Sequence, residues 1–546
     1  MAGARPLLYR SVLLEGRMLA TVSSATLLGV DGHPVSVEVH VSNGLPAFTV
    51  VGLPDASCRE ARDRVRAAIL SSGLDWPNKR ITVNLAPSAL RKAGSGLDLP
   101  IALALLVADE QLPAEATSDC GFFGELGLDG SVRPVPGTLA LAAACVGHAV
   151  VVPAASVVEA GLIRRLRVWP ATTLRAVAAA LRGDEDWPAT PGPGDHAVDP
   201  GGGPPDLADV RGQPVGRLAV EVAAAGGHHL LLSGPPGAGK TMLAERLPGL
   251  LPPLATDEAI EVARIHSAAG LALPHGVLVR RPPFRAPHHS ASMVSLIGGG
   301  SATMRPGELS CAHHGVLFLD ELAEFPPAVL DALRQPLEQG WVQVSRARAT
   351  VRFPASVLLV AAMNPCPCGA DGSPGSCRCP EATLHRYASR VSGPLLDRFD
   401  LRVPVDRPEV SELLPGAGGG GSGEESTAVV SARVRAARRL AEQRGVIANA
   451  DIPGSSLDGL APLEAAAVRL LELRLRQGRL SARGLHRVRR VARTVADLAG
   501  HEGPVAADHV RTALALRAEL RGDPPTGDGW DLVGPNGPEA ARNVPR

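Results

Sequence analysis

A glycine-rich loop motif constrains the fold of this chain more than any other feature of its sequence. Residues 234–241 read Gly-Pro-Pro-Gly-Ala-Gly-Lys-Thr and directly follow the apolar run at 230–232, as in the strand, loop and helix that hold a nucleoside triphosphate. In such a loop, backbone N–H groups surround the β-phosphate, the lysine contacts phosphate oxygens and the threonine hydroxyl binds Mg²⁺. The motif therefore predicts an ATP or GTP site made by Gly234, Pro235, Pro236, Gly237, Ala238, Gly239, Lys240 and Thr241.

Two acidic residues end a second apolar run, further along the chain. Residues 316–319 are strand-like and lead directly into Asp320 and Glu321, a Walker B motif. We expect Asp320 to bind the Mg²⁺ shell and Glu321 to accept a proton from the attacking water, which makes hydrolysis the expected reaction. A third strand-like run at 357–361 leads to Asn364, whose amide is predicted to orient the same water.

Two segments rich in glycine and proline divide the chain into three working parts. The part around the loop motif alternates strand-like and helical runs, which predicts an α/β fold with a parallel sheet and helices on both faces. The first part mixes the two patterns as an α+β domain, and the last is helical. The predicted division is an extension at 1–17, with Met18 as our preferred start, a domain at 18–175, a linker at 176–205, an ATPase core at 206–413, a linker at 414–426, a helical lid at 427–520 and a disordered tail at 521–546. Helices are predicted at 57–70, 100–108, 434–443, 463–475, 485–498 and 507–520.

The charge and composition of the chain narrow its classes of partner. Lysine plus arginine equals aspartate plus glutamate at 55 each, so any affinity for DNA must come from local basic surfaces. Aromatic residues make up 3%, which disfavours a platform for stacking bases. The apolar stretch at 139–160 is interrupted by Gly147, His148 and Pro153, and residues 1–17 lack the apolar core of a secretory signal. We therefore expect a cytoplasmic protein without a membrane span.

Four of the eight cysteines lie close together in the sequence. Cys366-x-Cys368 and Cys377-x-Cys379 flank a turn rich in glycine, proline and aspartate, so four thiolates are available to one tetrahedral Zn²⁺. Disulfides or unligated thiols are the alternative, because C-x-C spacing is less diagnostic than C-x-x-C. We predict a structural zinc with no position open to water.

A short alternating segment lies between the Walker B motif and the third strand. Residues 341–344 and 351–353 alternate apolar and polar side chains around Ser-Arg-Ala-Arg, which predicts a β-hairpin with Arg346 and Arg348 at its tip. Such a tip is either a solvated turn or a contact for the phosphates of DNA.

Taken in order, these motifs resemble those of AAA+ ATPases. Asp-Val-Arg-Gly-Gln at 209–213 precedes the phosphate loop, and Leu-Leu-Asp-Arg-Phe-Asp at 395–400 follows Asn364. Over residues 18–520 the chain is similar to the magnesium-chelatase-like subgroup known as the ComM or YifB family. The specific marks are Arg-Pro-Pro-Phe-Arg-Ala-Pro-His-His at 281–289, Pro-Gly-Glu-Leu-Ser at 306–310 and Asn-Pro-Cys-Pro-Cys-Gly at 364–369.

The resemblance implies a homo-hexameric ring with ATP held between subunits. Arg398 is then the candidate for the finger that reaches the γ-phosphate bound by the next subunit, with Arg390 and Arg386 as the second choices. Arg483, at the start of a lid helix, looks like the second sensor arginine. The alternative for each of them is an ordinary surface salt bridge.

The resemblance also implies which residues would face DNA in the pore of the ring. The family turns the segment with His288 and His289 toward the pore, although two adjacent histidines also suggest metal ligands. Six copies of the hairpin with Arg346 and Arg348 would line the same channel, where cations follow phosphates without reading bases.

The first domain resembles the proteolytic domain of Lon-type proteases, which shares an ancestral fold with ribosomal protein S5, at 84–104 and 124–141. Gly96 stands where the nucleophilic serine of those proteases would be, and Leu139 stands at the base lysine. Ser95 is one residue out of place and lacks a base, so we reject peptidase activity. We expect a binding or ring-assembly module, in which Lys92 contacts a partner or DNA.

Three functions follow from these motifs and resemblances. The first is an ATP-driven ring motor on single-stranded or branched DNA, consistent with branch migration in homologous recombination or natural transformation. The second is a chelatase-type motor subunit for metal insertion into a tetrapyrrole, against which the chain shows no Asp-x-Ser-x-Ser metal-adhesion motif. The third, an ATP-dependent Lon-like protease, is disfavoured by Gly96 and Leu139.

Overall fold

The computed structural model describes residues 19–518, except 93, 190–204, 272, 274–277, 301–303, 347–348, 370–376 and 409–423. The chain forms two compact units. The first comprises Met1–Val198, Ala263–Leu278 and Gly300–Arg305, and the second comprises Asp199–Val262, Val279–Gly299 and Pro306–Arg546. The helix Thr256–Ala269 contains the boundary between residues 262 and 263.

The first unit is built on a seven-stranded mixed sheet, which confirms the mixture of strands and helices expected there. Alternate residues of its longest strand are buried, including Val37, Val39 and Val41, because one face of that strand packs on the core. Across the sheet the strands are Ala47–Val51, Arg80–Ala86, Asp31–Ser42, Leu19–Leu28, Cys120–Phe122, Ala149–Pro153 and Arg167–Ala171. Its helices are Ala56–Ser71, Asp98–Ala108, Thr138–Ala144, Val157–Ala160 and Leu174–Arg182, and Glu125–Leu126 pairs with Val132–Arg133.

The second unit contains a five-stranded sheet in which every pair of strands is parallel, as the alternating pattern predicts. All four residues of Val316–Leu319 are buried, as expected for a strand covered on both faces. Across the sheet the strands are Phe284–Arg285, Val316–Leu319, Leu358–Met363, Leu230–Ser233 and Leu401–Pro404. Its helices include Pro214–Gly226, Lys240–Leu250, Met293–Ile297, Glu308–Cys311, Pro327–Ala332, Arg334–Gln339, Glu381–Ala388 and Gly393–Leu396, and its remaining strands are Gly298–Gly299, Trp341–Arg346 and Ala349–Pro354.

The C-terminal part of the second unit is helical, as predicted. The side chain of Ser481 caps the helix Ala482–Leu498 by accepting a hydrogen bond from the Gly484 N–H at 3.1 Å. Val488 and Val491 of that helix share one hydrophobic core with the parallel sheet. The other helices here are Thr427–Gln443, Leu457–Leu460, Ala465–Arg476 and Ala507–Ala515. In the described part of the chain, every helix lacks the length or the apolar character needed to span a bilayer.

Candidate active site

The phosphate loop follows the strand Leu230–Ser233, and that strand lies between two other strands of the parallel sheet. Gly237 and Gly239 have left-handed φ angles of 79° and 86°, which favour glycine. Gly234 lies so close to the next strand that a Cβ there would be 2.0 Å from the Val405 carbonyl oxygen. The helix Lys240–Leu250 begins directly after the loop, so its N-terminal N–H groups point toward the position of a phosphate.

The side chain of Lys240 is hydrogen-bonded to the backbone of its own loop. Its ammonium donates to the carbonyl oxygens of Gly234 at 2.7 Å and Pro235 at 2.9 Å, and to Oδ1 of Asn364 at 3.1 Å. Burial lowers the pKa of Lys240, while Asp320 and Glu321 act in the opposite direction. The structure therefore brings together the loop lysine and the residue predicted to orient water, although 124 positions separate them in the sequence.

The second acidic motif lies beside the same helix. Oδ2 of Asp320 accepts a hydrogen bond from the Thr241 hydroxyl at 2.9 Å, so the two predicted Mg²⁺ ligands are neighbours. The other oxygen, Oδ1, accepts from the Glu321 N–H at 2.9 Å. An oxygen pair of this kind suits Mg²⁺, which is bound by one or two protein oxygens together with waters and nucleotide phosphates.

Glu321 makes a contact that the sequence analysis missed. Its carboxylate lies 3.1 Å from Nδ1 of His289. The family resemblance places His289 in the segment that faces the pore. The backbone of Glu321 is left-handed, with φ at 52°, which is strained for a residue with a side chain. The strands that precede His289 and Glu321 are neighbours in the sheet. Knowledge of the strand order would therefore have indicated this contact.

The cysteine segment follows Asn364 directly and its four Sγ atoms lie within 4.8 Å of one another. Sγ of Cys366 is 3.0 Å from that of Cys368, which is 3.6 Å from that of Cys377. Four thiolates around one Zn²⁺ at about 2.3 Å would be about 3.8 Å apart, so the set formed with Cys379 needs only small shifts to hold the ion. The intervening residues 370–376 lie outside the described part of the chain.

This segment also packs against the phosphate loop. A Cβ on Gly369 would lie 3.0 Å from Cγ of Pro236, so Gly369 packs closely against the ring of that proline. On the other side, Tyr387 interacts with the backbone N–H of Asn364, and burial raises the pKa of Tyr387 to about 12. The cysteine cluster is thus adjacent to two parts of the candidate active site.

The candidate finger arginines all lie in the second unit, with different surroundings. Arg398 is ion-paired with Glu338, and its side chain is 22% exposed. Arg390 donates to the Glu324 carboxylate at 2.8 Å, and Arg386 is exposed. The role of a finger toward a neighbouring subunit remains a prediction for each of them.

The lid arginines separate into one exposed residue and one buried residue. Arg483 is exposed, and its side chain makes no hydrogen bond or ion pair with any described residue. Arg487, one turn later, is buried and lies 3.3 Å from Asp400 and 4.0 Å from Asp397. Arg487 therefore stabilises the fold of the second unit, and Arg483 stays the candidate for the second sensor.

The predicted hairpin is confirmed. Trp341–Arg346 pairs antiparallel with Ala349–Pro354, and the guanidinium of Arg352 lies 4.4 Å from the Trp341 ring. Arg346 is exposed at the end of its strand, whereas Arg348 lies outside the described residues.

The Lon-like segment of the first unit contains one contact that contradicts an expectation. Lys92 is fully buried, and its ammonium donates to the carbonyl of Pro87. Its predicted contact with a partner or DNA is therefore wrong, because burial leaves the amine no surface to offer. Ser95 donates to the carboxylate of Glu125, and Leu139 is fully buried, so no lysine amine is placed as a base at the positions expected from Lon.

The fold and this site define a P-loop ATPase of the magnesium-chelatase type. The family model described as magnesium chelatase, subunit ChlI, matches residues 206–413, and models of the ChlI subunit and of its C-terminal region match 37–156 and 424–517. The chain is 43% identical to the competence protein ComM of Haemophilus influenzae, over 92% of this chain and 98% of that protein. It is 45% identical to YifB of Escherichia coli, over 92% of this chain and 97% of that protein.

A magnesium-chelatase subunit ChlI of Porphyra purpurea is similar over a much shorter segment, with 36% identity over 12% of this chain and 18% of the algal protein. The chain belongs to the ComM and YifB family of magnesium-chelatase-like proteins.

Proposed function

We propose that this protein is an ATP-hydrolysing ring motor that acts on DNA and drives branch migration in homologous recombination or natural transformation. The observation that carries the proposal is the site in which Lys240, Thr241, Asp320, Glu321 and Asn364 converge, in a chain similar along nearly its whole length to a competence protein. ATP hydrolysis supplies the work, and the ring of identical subunits supplies the channel.

Each residue of the site has a place in hydrolysis. Lys240 would exchange its contacts with the loop carbonyls for the β- and γ-phosphate oxygens. Thr241 and Asp320 would hold Mg²⁺, which would supply positive charge to neutralise the phosphates. Glu321 takes the proton of the attacking water, which Asn364 orients. An arginine of the neighbouring subunit, with Arg398 as the first choice, stabilises the charge that develops on the γ-phosphate.

The contact with DNA is assigned to exposed cations of the second unit. The chain carries no net charge, so binding has to be local and sensitive to salt. The first strand of the confirmed hairpin ends at the exposed Arg346, which offers such a cation, and Arg348, which lies outside the described residues, is the second candidate. His288 is exposed in the segment that the family turns to the pore, and it is a further candidate for this contact.

One experiment tests the proposal directly. ATP turnover of the purified chain is measured with and without single-stranded and four-way-junction DNA at two salt concentrations, beside Glu321→Gln. We expect DNA to stimulate turnover, the stimulation to weaken with salt, and the variant to be inactive. Turnover unchanged by either DNA would contradict a DNA motor and favour the chelatase-type alternative, to be followed with a tetrapyrrole and its partner subunits.

A further inference from the structure

The candidate finger Arg398 lies in a short loop, residues 397–400, between the helix Gly393–Leu396 and the edge strand Leu401–Pro404. Its guanidinium is ion-paired with Glu338, and its Nε has no hydrogen-bond partner among the described residues. An arginine that leaves Glu338 to reach a phosphate of the next chain is positioned by its own backbone. The conformation of this finger loop therefore decides where the arginine can reach.

The finger loop ends in a carboxylate that is largely buried. Asp400 follows Arg398 by two positions, and its side chain is 13% exposed. Oδ1 lies 3.3 Å from Nε of Arg487, and Oδ2 lies 3.5 Å from Nδ1 of the fully buried His228. Although burial acts to raise the pKa of Asp400, His228 and Arg487 hold it at about 2, so the carboxylate is charged at neutral pH. Because little water screens such a charge, Asp400 is a firm anchor for the loop.

Both partners of Asp400 connect it to one helix of the predicted lid. Arg487 belongs to the helix Ala482–Leu498. His228 contacts the same helix through Nε2, which lies 2.8 Å from Oγ1 of Thr494. The finger loop is thus joined to this helix directly and through His228, at points about two turns apart.

A second element of the lid holds the backbone of the finger loop. The guanidinium of Arg517 donates to the carbonyl oxygens of Phe399 at 2.7 Å and Asp400 at 2.9 Å. The segment around Arg517 also pairs with the edge strand, because the Arg402 N–H donates to the Leu516 carbonyl at 2.8 Å. The lid therefore fixes both a side chain and the main chain of this loop.

We propose that Asp400 is a positioning residue for the finger Arg398, an inference that rests on the proposed ring ATPase. Asp400 fastens the finger loop to the lid helix through Arg487 and His228, so that the lid and the finger change position together. The lid of each chain thereby sets the finger that the chain offers to its neighbour.

Removing the charge of Asp400 tests the role. We expect Asp400→Asn to lower kcat by about tenfold or more, because the finger is misplaced, while KM for ATP changes by less than about threefold. Asp458→Asn is the matched control and should keep the wild-type kcat. Asp458 pairs with Arg489 of the same lid helix at 2.8 Å, without a described contact to the finger loop. Binding of a fluorescent ADP analogue shows that each variant is folded.

A second variant covers the case in which Asp400→Asn does not fold. Combining it with Arg487→Gln removes both charges, so that no unpaired guanidinium is left buried and the chain stays folded. The double variant should show the same loss of kcat with the same KM. A wild-type kcat in it, or in folded Asp400→Asn, overturns the inference.

Mixed rings show on which chain's site Asp400 acts. Asp400→Asn chains mixed with Glu321→Gln chains should turn over more ATP than the average of the two separate samples. The recovered sites pair the intact Glu321 of the first chain with the intact finger of the second. A defect confined to a chain's own site gives no such recovery.

The mixture of Arg398→Ala with Glu321→Gln is the reference. If it recovers and the Asp400→Asn mixture does not, the inference alone is overturned. If neither recovers while the wild type is active, the assignment of the finger to Arg398 falls together with the inference. A wild-type chain that hydrolyses no ATP overturns the proposed function as well.

Discussion

Lys240 must give up three oxygen partners of the protein before it can bind a phosphate. Two are carbonyls of its own loop, and the third is Oδ1 of Asn364. The exchange is favourable because a phosphate oxygen carries more charge than a carbonyl. The contact with Asn364 means that nucleotide binding also frees the side chain predicted to orient the water.

A carboxylate at position 364 tests this exchange. We expect Asn364→Asp to weaken ATP binding by about tenfold or more, since an ion pair would hold Lys240 and a third carboxylate would join Asp320 and Glu321. Asn364→Ala should lower kcat with a much smaller effect on affinity. Titration with a fluorescent ATP analogue and steady-state turnover distinguish the two, and equal affinities in both variants would contradict the charge argument.

His313 is expected to make the stability of the second unit depend on pH. The residue is buried, its Nδ1 accepts the Ser356 N–H at 2.9 Å, and burial lowers its pKa to about 4. Between pH 6.5 and 4 the unfolded chain binds a proton that the folded chain refuses, so stability falls as pH falls through this window. The carboxylate of Glu261 lies 3.4 Å from Nε2 of His313 and 3.4 Å from Nε2 of His314.

The size of the effect is about 2–3 kcal/mol between pH 7 and 4 from this one group. Denaturant unfolding at several pH values measures it. His313→Asn retains an acceptor for Ser356 without the titrating ring, so its stability should change less over the same window. His314→Gln is the control, and equal slopes for wild type and His313→Asn would contradict the assignment.

At the scale of elements, the segment with the four clustered cysteines lies next to the nucleotide site. Gly369 packs on Pro236 of the phosphate loop, and Cys366 is two positions from Asn364. We expect one zinc per chain in the wild type. Cys368→Ser and Cys377→Ser should lose the metal and weaken ATP binding severalfold, because the support of the loop is lost.

Metal analysis and nucleotide titration on the same samples check this. Cys145→Ala is the matched control, since Cys145 is a buried cysteine of the first unit, outside the cluster. Zinc at the wild-type level in the serine variants, or full nucleotide affinity in metal-free protein, would contradict the expectation.

The sequence predicted elements better than their arrangement. The apolar runs at 316–319 and 357–361 became Val316–Leu319 and Leu358–Met363, and the lid pattern at 485–498 became part of Ala482–Leu498. Periodicity reports which face is buried, so it finds such elements well. It does not report which strands are neighbours, and for that reason the contact between His289 and Glu321 was missed. The burial of Lys92 was missed for a related reason, because a lysine is ordinarily exposed.

At the scale of the whole molecule, the proposed ring divides each catalytic site between two chains. Glu321 would act on the nucleotide of its own chain, while Arg398 would act on that of its neighbour. Arg398→Ala is expected to lower kcat by about 10³-fold, the scale of an arginine finger, with ATP still bound. Arg390→Ala is the comparison, since Arg390 is the second choice.

Mixing two inactive variants tests the division. Rings of Arg398→Ala alone and of Glu321→Gln alone should both be inactive, whereas mixed rings regain turnover at sites that combine an intact Glu321 with an intact neighbouring Arg398. Recovery should rise and fall with the mixing ratio. Mixed samples as inactive as their components would contradict a finger at Arg398.

The distribution of lysines has a practical consequence for chemical labelling. The chain has only three, of which Lys92 is fully buried, Lys240 is 8% exposed within the phosphate loop, and Lys79 has a side chain 44% exposed. Apart from the terminal amine, an acylating reagent applied to the folded protein should modify Lys79 first. Acylation of a second lysine, Lys240, would show that the phosphate loop opens, and bound nucleotide should prevent it. Mass spectrometry of the intact chain would detect this second modification without an engineered label.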